Sequence, residues 1–274
     1  MSVEMFEQVT DDDKLMAVIK SKPFPPKHEI VIYFTPRSGS SRVSEILFNT
    51  KAMGHANELF NPNFMANIAQ SVQAKSLREY VEHSRRKLAV QGVFSFETTS
   101  FHIRKIFPDQ RVFFDQFAGA MSFWLIREDI VAQAVSLSKM VSTMVSHSAT
   151  STDEQRANAD SAYQYDSKEI RKRLIQIMVA EHWSERSFAK FNIRPTRISY
   201  EYLSTLDANA VIDVFRGDID VPKVDVAGQP LRHIKIATPK NERFAERFRA
   251  ENKWFLRLVA LKRRKMLSKL QRTP

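Results

Sequence analysis

Residues 29–41 read EIVIYFTPRSGSS, and this stretch decides the fold. Its first seven residues are mostly β-branched and aromatic, which is typical of a strand buried on both faces of a parallel sheet. The polar loop PRSGSS follows at once. Beyond it, Val43, Ile46 and Leu47 recur at helical spacing, and Gly54 is a suitable C-terminal stop for that helix. The sequence therefore predicts a strand, a tight polar loop and a helix.

Further strands and helices alternate along the rest of the chain. The patterns predict strands at 88–98, 121–126 and 196–200, helices over 129–146 and 167–191, and a mobile loop at 147–166. Strands that alternate with helices imply an α/β fold, here a three-layer sandwich with a central parallel sheet.

Changes in composition divide the chain into three parts. Residues 1–27 end in the proline cluster KPFPPK and form an N-terminal extension. The alternating pattern fills one domain at 28–251. Residues 252–274 form a basic C-terminal helical tail.

The positive charge is concentrated near the C-terminus. Lys and Arg number 42 and Asp and Glu 31, so the 274-residue chain has a net charge of +11. From Lys240 onward there are twelve basic and three acidic residues, which is +9 and leaves +2 for the first 239 residues. Because the body is nearly neutral, we do not expect nucleic acid as a partner.

Several other classes of protein are excluded by composition. The chain has no cysteine, hence no disulfide framework, thiolate nucleophile or cysteine zinc site. The first residues, MSVEMFEQVTDDDK, are acidic and polar, unlike a signal peptide. Since no stretch approaches ~20 uninterrupted apolar residues, we expect no membrane span and a cytoplasmic location.

The loop at 36–41 has the composition of an anion site. Backbone N–H groups at a helix N-terminus attract an anion, and small residues let it approach. Arg37 adds a planar cation suited to phosphate or sulfate. The Lys of a Walker A loop is absent, so an ordinary ATPase or GTPase is disfavoured. The alternative is a simple polar turn between strand and helix.

Arg127 and Ser136 form a second polar element. Arg127 directly follows the strand at 121–126, and Ser136 lies nine residues later on the next helix. The two would diverge on one helix, but an arginine at the strand end can converge with Ser136 on one ligand group. The alternative is an arginine at a sheet edge and an exposed serine.

Together these segments resemble a known family. PRSGSS, SEIL, NELF, IREDIVAQAVSLSKMVST, ISYEYL and ATPKNERFAERF, in this order and spacing, are similar to bacterial carbohydrate sulfotransferases related to trehalose 2-sulfotransferase and to lipopolysaccharide and nodulation-factor sulfotransferases. The likeness covers roughly residues 29–251. It implies a P-loop-like sulfotransferase fold, 3′-phosphoadenosine 5′-phosphosulfate (PAPS) as sulfuryl donor, a sugar or glycolipid acceptor, and a homodimer.

The resemblance also implies roles for individual residues. Glu58 and Arg37 match catalytic positions, with Glu58 as general base. The positions that match the donor site are Arg37, Ser38, Gly39, Ser40 and Ser41 for the phosphosulfate, Arg127 and Ser136 for the 3′-phosphate, Tyr200 near the nucleotide, and Arg232 and Lys235 on a closing loop. In-line sulfuryl transfer with these groups needs no metal ion, and no carboxylate cluster suggests one.

Two departures from the family pattern bear on activity. A Lys is usual in a G-x-K strand, where this chain has Val93, Phe94 and Ser95. Arg42 stands where an apolar residue is usual. Either departure implies an altered substrate or weaker activity.

The general base has competing interpretations. The alternative interpretation of Glu58 is a solvated glutamate at a helix end with no catalytic role. His102 and His55 are rival bases, although neither has a carboxylate orienter in the sequence. Contacts to the acceptor are expected from the segment after Glu58, the helix after Ser136 and the loop at 147–166.

Two other function classes remain open. A kinase-like or regulatory nucleotide-binding protein would share the fold and the anion loop but would not need Arg127 and Ser136. A membrane or nucleic-acid binder would use the basic tail, whose apolar stripe consists of Phe244, Phe248, Phe255, Leu258 and Val259. That stripe predicts either a helix docked on the body or a peripheral membrane contact near a lipid-linked acceptor.

Overall fold

A computed structural model describes residues 6–145, 149, 151–233 and 238–271. Its sheet has four parallel strands in the order β2-β1-β3-β4. The strands are β1 (His28–Tyr33), β2 (Val93–Thr98), β3 (Met121–Ile126) and β4 (Thr196–Ser199).

Helices fill the connections between the strands. Before β3 lie α1 (Asp13–Ser21), α2 (Ser40–Asn49), α3 (Pro62–Val72), α4 (Leu77–Leu88), α5 (Ser100–Ile106) and α6 (Gln110–Gln116). After β3 lie α7 (Ile130–Thr143), α8 (Asp153–Ala162), α9 (Ser167–Lys190), α10 (Tyr200–Thr205), α11 (Ala208–Arg216), α12 (Pro239–Glu251) and α13 (Lys253–Leu267). In the described ranges no helix has the length and apolarity needed to cross a bilayer.

Both faces of the sheet are buried. Successive side chains of a strand point to opposite faces, so Val31 and Tyr33 join one apolar cluster with α3 to α6. Ile30 and Ile32 join a second cluster with α2 and α11. The predicted α/β sandwich with a central parallel sheet is therefore confirmed, and the continuous apolar run of β1 reflects burial on both sides.

Three boundaries differ from the sequence prediction by three residues or more. The helix after the loop ends at Asn49 rather than Gly54, because Thr50 Oγ1 accepts from Ala52 N and Met53 N and turns the chain. The strand predicted at 88–98 begins only at Val93, since residues up to Leu88 belong to α4. The helix predicted to reach 146 ends at Thr143.

The prediction of a mobile loop at 147–166 was wrong over much of its length. Residues 146–148 and 150 lie outside the described part of the chain, but Asp153–Ala162 forms α8. A capping box starts this helix, because Thr152 and Gln155 each bond the other's backbone N–H. Tyr163 is buried against α7 and donates to Val135 O at 3.2 Å, so the segment is held to the body.

The C-terminal helix α13 packs on the body of the domain. Val259, Arg263 and Met266 point inward and are buried. Arg263 pairs with the equally buried Glu181 of α9, with Nη2 at 2.8 Å from Oε1. Beyond the helix, Gln271 N donates to Arg197 O at 2.8 Å and so covers the edge of β4.

The strand order creates a crevice at one edge of the sheet. The chain leaves β1 toward β2 on one side and reaches β3 on the other, so the connections diverge between β1 and β3. Ligands of open α/β sheets bind beyond the carboxyl ends of the strands at such a switch point. The loop at 36–41 follows β1 and Arg127 follows β3, which places both at this crevice.

Candidate functional site

The loop after β1 turns sharply into α2. Arg37 and Gly39 both have left-handed backbone, with φ of 69° and 88°, and α2 begins at Ser40. A Cβ on Gly39 would lie 2.7 Å from Cδ2 of Tyr200. The loop therefore requires glycine here for two reasons, the backbone angle and the close approach of the tyrosine ring.

Arg37 lies at the centre of the crevice. Its Nε donates to Ser136 Oγ at 2.9 Å, which joins the loop to α7 across 99 residues of sequence. Burial lowers the pKa of Arg37 to about 10, with a further lowering by the charge of Arg127, which Tyr200 partly offsets. Arg37 is therefore still a cation at neutral pH, held in a position of low solvent access.

Arg127 provides the second cation. Its Nη1 donates to Arg37 O at 3.3 Å, and its guanidinium lies 4.6 Å from the centroid of the Tyr200 ring. In the part of the chain that the structure describes, Arg127 Nε and Ser38 Oγ are buried without a hydrogen-bond partner. Buried donors without partners are costly, and an anion held between the loop and Arg127 would satisfy them.

Polar side chains outside the predicted set hold these elements in place. Gln133 of α7 is fully buried and donates through Nε2 to Thr35 Oγ1 at 2.9 Å and to Pro36 O at 2.8 Å. The Glu201 carboxylate accepts from the backbone N–H groups of Glu128 and Asp129, at 2.9 and 3.1 Å. The loop and the segment after Arg127 are thus fixed before any ligand binds.

Glu58 lies in the segment before α3, not on a helix. Its side chain is 21% exposed, and Asn61 Nδ2 donates to its Oε2 at 2.6 Å. Burial raises the pKa of Glu58, and the Asn61 hydrogen bond opposes part of that rise. The glutamate is therefore an oriented and partly desolvated carboxyl group rather than a solvated one.

The two candidate histidine bases differ in position. His102 Nε2 lies 4.0 Å from Glu58 Oε2, and burial together with Lys105 lowers the pKa of His102 to about 4. His55 is exposed and packs against the Phe48 ring, with 4.7 Å between the ring centroids. A histidine of such low pKa is a weak proton acceptor at neutral pH, so the environment favours Glu58 over His102.

Glu97 was missed by the sequence reasoning. It is the penultimate residue of β2, beside the segment that carries Glu58, and its backbone N–H donates to Asn57 O at 2.9 Å. Burial, with a smaller contribution from the charge of Glu58, raises its pKa well above the ordinary value, although a hydrogen bond with Ser40 opposes this. Burial thus favours the neutral acid at Glu97, which lies between Ser40 at the start of α2 and the segment that carries Glu58.

The segment before residue 234 is attached to α2. Glu45 is buried and accepts from the backbone N–H groups of Arg232 and His233, at 2.9 and 2.8 Å. Burial alone would raise the pKa of Glu45, but the bonds from Arg232 and His233 outweigh it and the net shift is downward. The Arg232 side chain is 72% exposed. Lys235 lies outside the described residues.

The structure accounts for Arg42 but not for the absent family lysine. Arg42 donates to Leu203 O and Leu206 O, at 3.1 and 3.2 Å, and so binds the C-terminal end of α10. Its role there is structural. Val93, Phe94 and Ser95 are buried in the first half of β2, far from the carboxyl end that faces the crevice, and Ser95 Oγ donates to Met53 O.

A cavity of about 800 Å³ lies among α7, α8 and the start of α9. From α7 it is lined by Ser138, Ser142 and Thr143. No group of three or more His, Asp or Glu side chains within the described residues is placed to hold a metal ion.

The structure thus brings together Arg37, Arg127, Ser136 and Tyr200 at the loop, with Glu58 nearby. Fold and site define a P-loop-like α/β protein whose crevice offers fixed donors to an anion. The model of the Stf0 sulphotransferase family matches residues 86–251, and the chain belongs to that family. The match spans β2 to α12 and includes Arg127, Ser136, Tyr200 and Arg232, whereas the loop and Glu58 precede it. A comparison with curated proteins finds no match.

Proposed function

We propose that this sulfotransferase moves a sulfuryl group from PAPS to a hydroxyl of a carbohydrate or glycolipid. The observation that carries the proposal is the pair of cations at the crevice. Arg37 and Arg127 lie together at the switch point, with buried donors of Ser38 and Arg127 left without partners. Two clustered cations suit a donor with more than one anionic group.

The donor suits the crevice by its charge and its hydrogen-bond acceptors. The phosphosulfate lies against the loop, where Ser38 to Ser41 and the start of α2 supply hydroxyl and N–H donors. Arg127 and Ser136 hold the 3′-phosphate, and the Tyr200 ring packs near the nucleoside. Arg232 and Lys235 belong to the segment that closes over it, which the Glu45 contacts anchor to α2.

The reaction is an in-line displacement at sulfur. The acceptor oxygen forms a new bond to sulfur as the bond from sulfur to the bridging phosphate oxygen breaks. Negative charge builds on that oxygen, and Arg37 with the loop N–H groups stabilises it. The products are the sulfate ester and adenosine 3′,5′-bisphosphate, with the acceptor proton on Glu58.

Glu58 accepts the proton because its carboxylate is oriented and partly buried. Asn61 fixes one of its oxygens, which leaves the other for the acceptor hydroxyl. Its raised pKa makes the carboxylate a stronger base than a solvated glutamate.

The setting of the reaction also belongs to the proposal. We assign the chemistry to residues 28–251, with 1–27 as an extension and 252–274 as a basic tail. The enzyme acts in the cytoplasm as a homodimer, and it requires no metal ion because Arg37 and Arg127 supply the positive charge.

Calorimetry tests the donor assignment. Adenosine 3′,5′-bisphosphate is expected to bind much more tightly than ADP, because only the former places a phosphate on Arg127 and Ser136. Ser136→Ala should reduce the preference for adenosine 3′,5′-bisphosphate over ADP about ten- to a hundredfold, the worth of one hydrogen bond to a charged group. Ser142→Ala, on a different face of α7, is the matched control. Equal affinity for the two nucleotides would reject the assignment and leave a general nucleotide- or phosphate-binding protein.

A further inference from the structure

The outward face of α13 carries an apolar row. Trp254, Leu258 and Leu261 are spaced i, i+4 and i+7, so they lie on one narrow side of the helix. Their side chains are 72%, 39% and 63% exposed. We call these three residues the docking row. Large apolar side chains gathered on one exposed face indicate contact with another surface.

Cations surround the docking row. The exposed basic residues between Asn252 and Gln271 are Lys253, Arg257, Lys262, Arg264, Lys265 and Lys269. No acidic residue occurs in this segment. At about 100° per residue, Arg257 and Arg264 lie along one side of the row and Lys262 along the other.

The inward face of the same helix is already occupied. Val259 and Met266 are buried in the apolar clusters, and Arg263 is bound to Glu181. Arg263 also donates to Arg127 O and Glu128 O, at 2.7 and 2.8 Å. The docking row therefore cannot rotate into the core, and the helix that carries it is bonded to the main chain of the crevice.

We propose that the docking row inserts into the headgroup region of an anionic phospholipid bilayer. A helix with Trp and Leu on one side and Lys and Arg beside them lies in the plane of such a surface. A second copy of the chain is a less suitable partner for the docking row, because the six cations of one copy would face and repel the same six cations of the other. Nucleic acid would use the cations but not the two leucines.

One consequence rests on the proposed function. If the enzyme transfers sulfate from PAPS, an acceptor at the bilayer surface would meet a crevice whose Arg127 main chain is bonded to the docked helix. The acceptor class favoured by this arrangement is a sugar carried on a lipid rather than a free sugar.

Sedimentation with vesicles tests the docking row without any donor or acceptor. The wild-type chain should sediment with vesicles of mixed phosphatidylcholine and phosphatidylglycerol, less so in high salt, and not with phosphatidylcholine alone. The double variant Trp254→Gln, Leu261→Gln should lose at least about tenfold in partitioning, the transfer free energy of two apolar side chains. The emission of Trp254 should shift to the blue on binding.

A matched control uses apolar residues of similar exposure on other helices. Val18 and Val112 are 54% and 47% exposed, and Val18→Gln, Val112→Gln should bind vesicles like wild type. Absence of wild-type binding, or full binding by the Trp254 and Leu261 variant, would overturn the proposal. The proposal would also be overturned if sedimentation velocity showed a dimeric wild type and a monomeric Trp254 and Leu261 variant, because the docking row would then be a subunit interface. If the Trp254 and Leu261 variant loses vesicle binding while neither it nor the wild type transfers sulfate, the result rejects only the proposed activity and not the docking row.

Discussion

Gly39→Ala is expected to damage the fold and the anion site together. The φ of 88° places alanine in the left-handed region, which costs roughly 1 to 2 kcal/mol. The new Cβ would also lie 2.7 Å from Tyr200 Cδ2, and pushing the ring off its rotamer adds about 1 kcal/mol. Roughly 2 to 3 kcal/mol corresponds to a fall in Tm of about 4 to 10 °C for a domain of this size.

The same substitution should weaken donor binding beyond its effect on stability. The Tyr200 ring lies 4.6 Å from the Arg127 guanidinium, so a displaced ring moves the second cation of the crevice. Calorimetry with adenosine 3′,5′-bisphosphate should show this as lower affinity at a temperature where the variant is fully folded.

Two controls separate strain from collision. A Cβ on Gly119 meets no atom within 4 Å and its φ is not positive, so Gly119→Ala should leave both Tm and affinity near wild type. In the background Tyr200→Ala the collision is gone, and Gly39→Ala should then cost only the backbone strain. A Gly39→Ala protein with wild-type Tm and wild-type affinity would refute the description of the loop.

Three further predictions follow from buried charges and are checked by kinetics or unfolding. Asn61→Ala removes the donor that lowers the pKa of Glu58, so the acid limb of the kcat/KM profile should move to higher pH; an unmoved limb would remove Glu58 from that titration. Because burial raises the pKa of Glu97 in the folded state, its contribution to stability is present below the ordinary glutamate pKa and is lost as pH rises from there through the folded pKa. In urea unfolding, Glu97→Gln should therefore lose less stability than wild type as pH rises above the ordinary glutamate pKa. Arg263→Met should destabilise by about 3 to 5 kcal/mol, because Glu181 is left buried and unpaired, while Arg264→Met at the exposed neighbouring position should change little.

The position of the two site cations in the fold can be predicted largely from local sequence. The run EIVIYFT shows a doubly buried strand, and Arg127 stands at the end of MSFWLI, so both cations are predictable at one edge of a parallel sheet. The bond from Arg37 to Ser136 is consistent with that expectation, although its partners are 99 residues apart.

Other parts depend on contacts that no local pattern contains. In the sequence, Glu97 is simply part of a predicted buried strand. It lies beside Glu58 because the segment with Asn57 packs against β2. The sequence of α8 does not predict a helix by periodicity, because few of its residues are apolar; its local helix signal is the capping box of Thr152 and Gln155. A polar residue at the carboxyl end of a buried strand was the available signal for Glu97.

Transfer of labelled sulfate tests the central claim most directly. With labelled PAPS and extracted cellular lipids and carbohydrates, the wild-type chain should label an acceptor. Glu58→Gln should bind adenosine 3′,5′-bisphosphate like wild type and label nothing. Near-normal labelling by Glu58→Gln, or no labelling of any fraction by a wild-type chain that binds the nucleotide, would contradict the account.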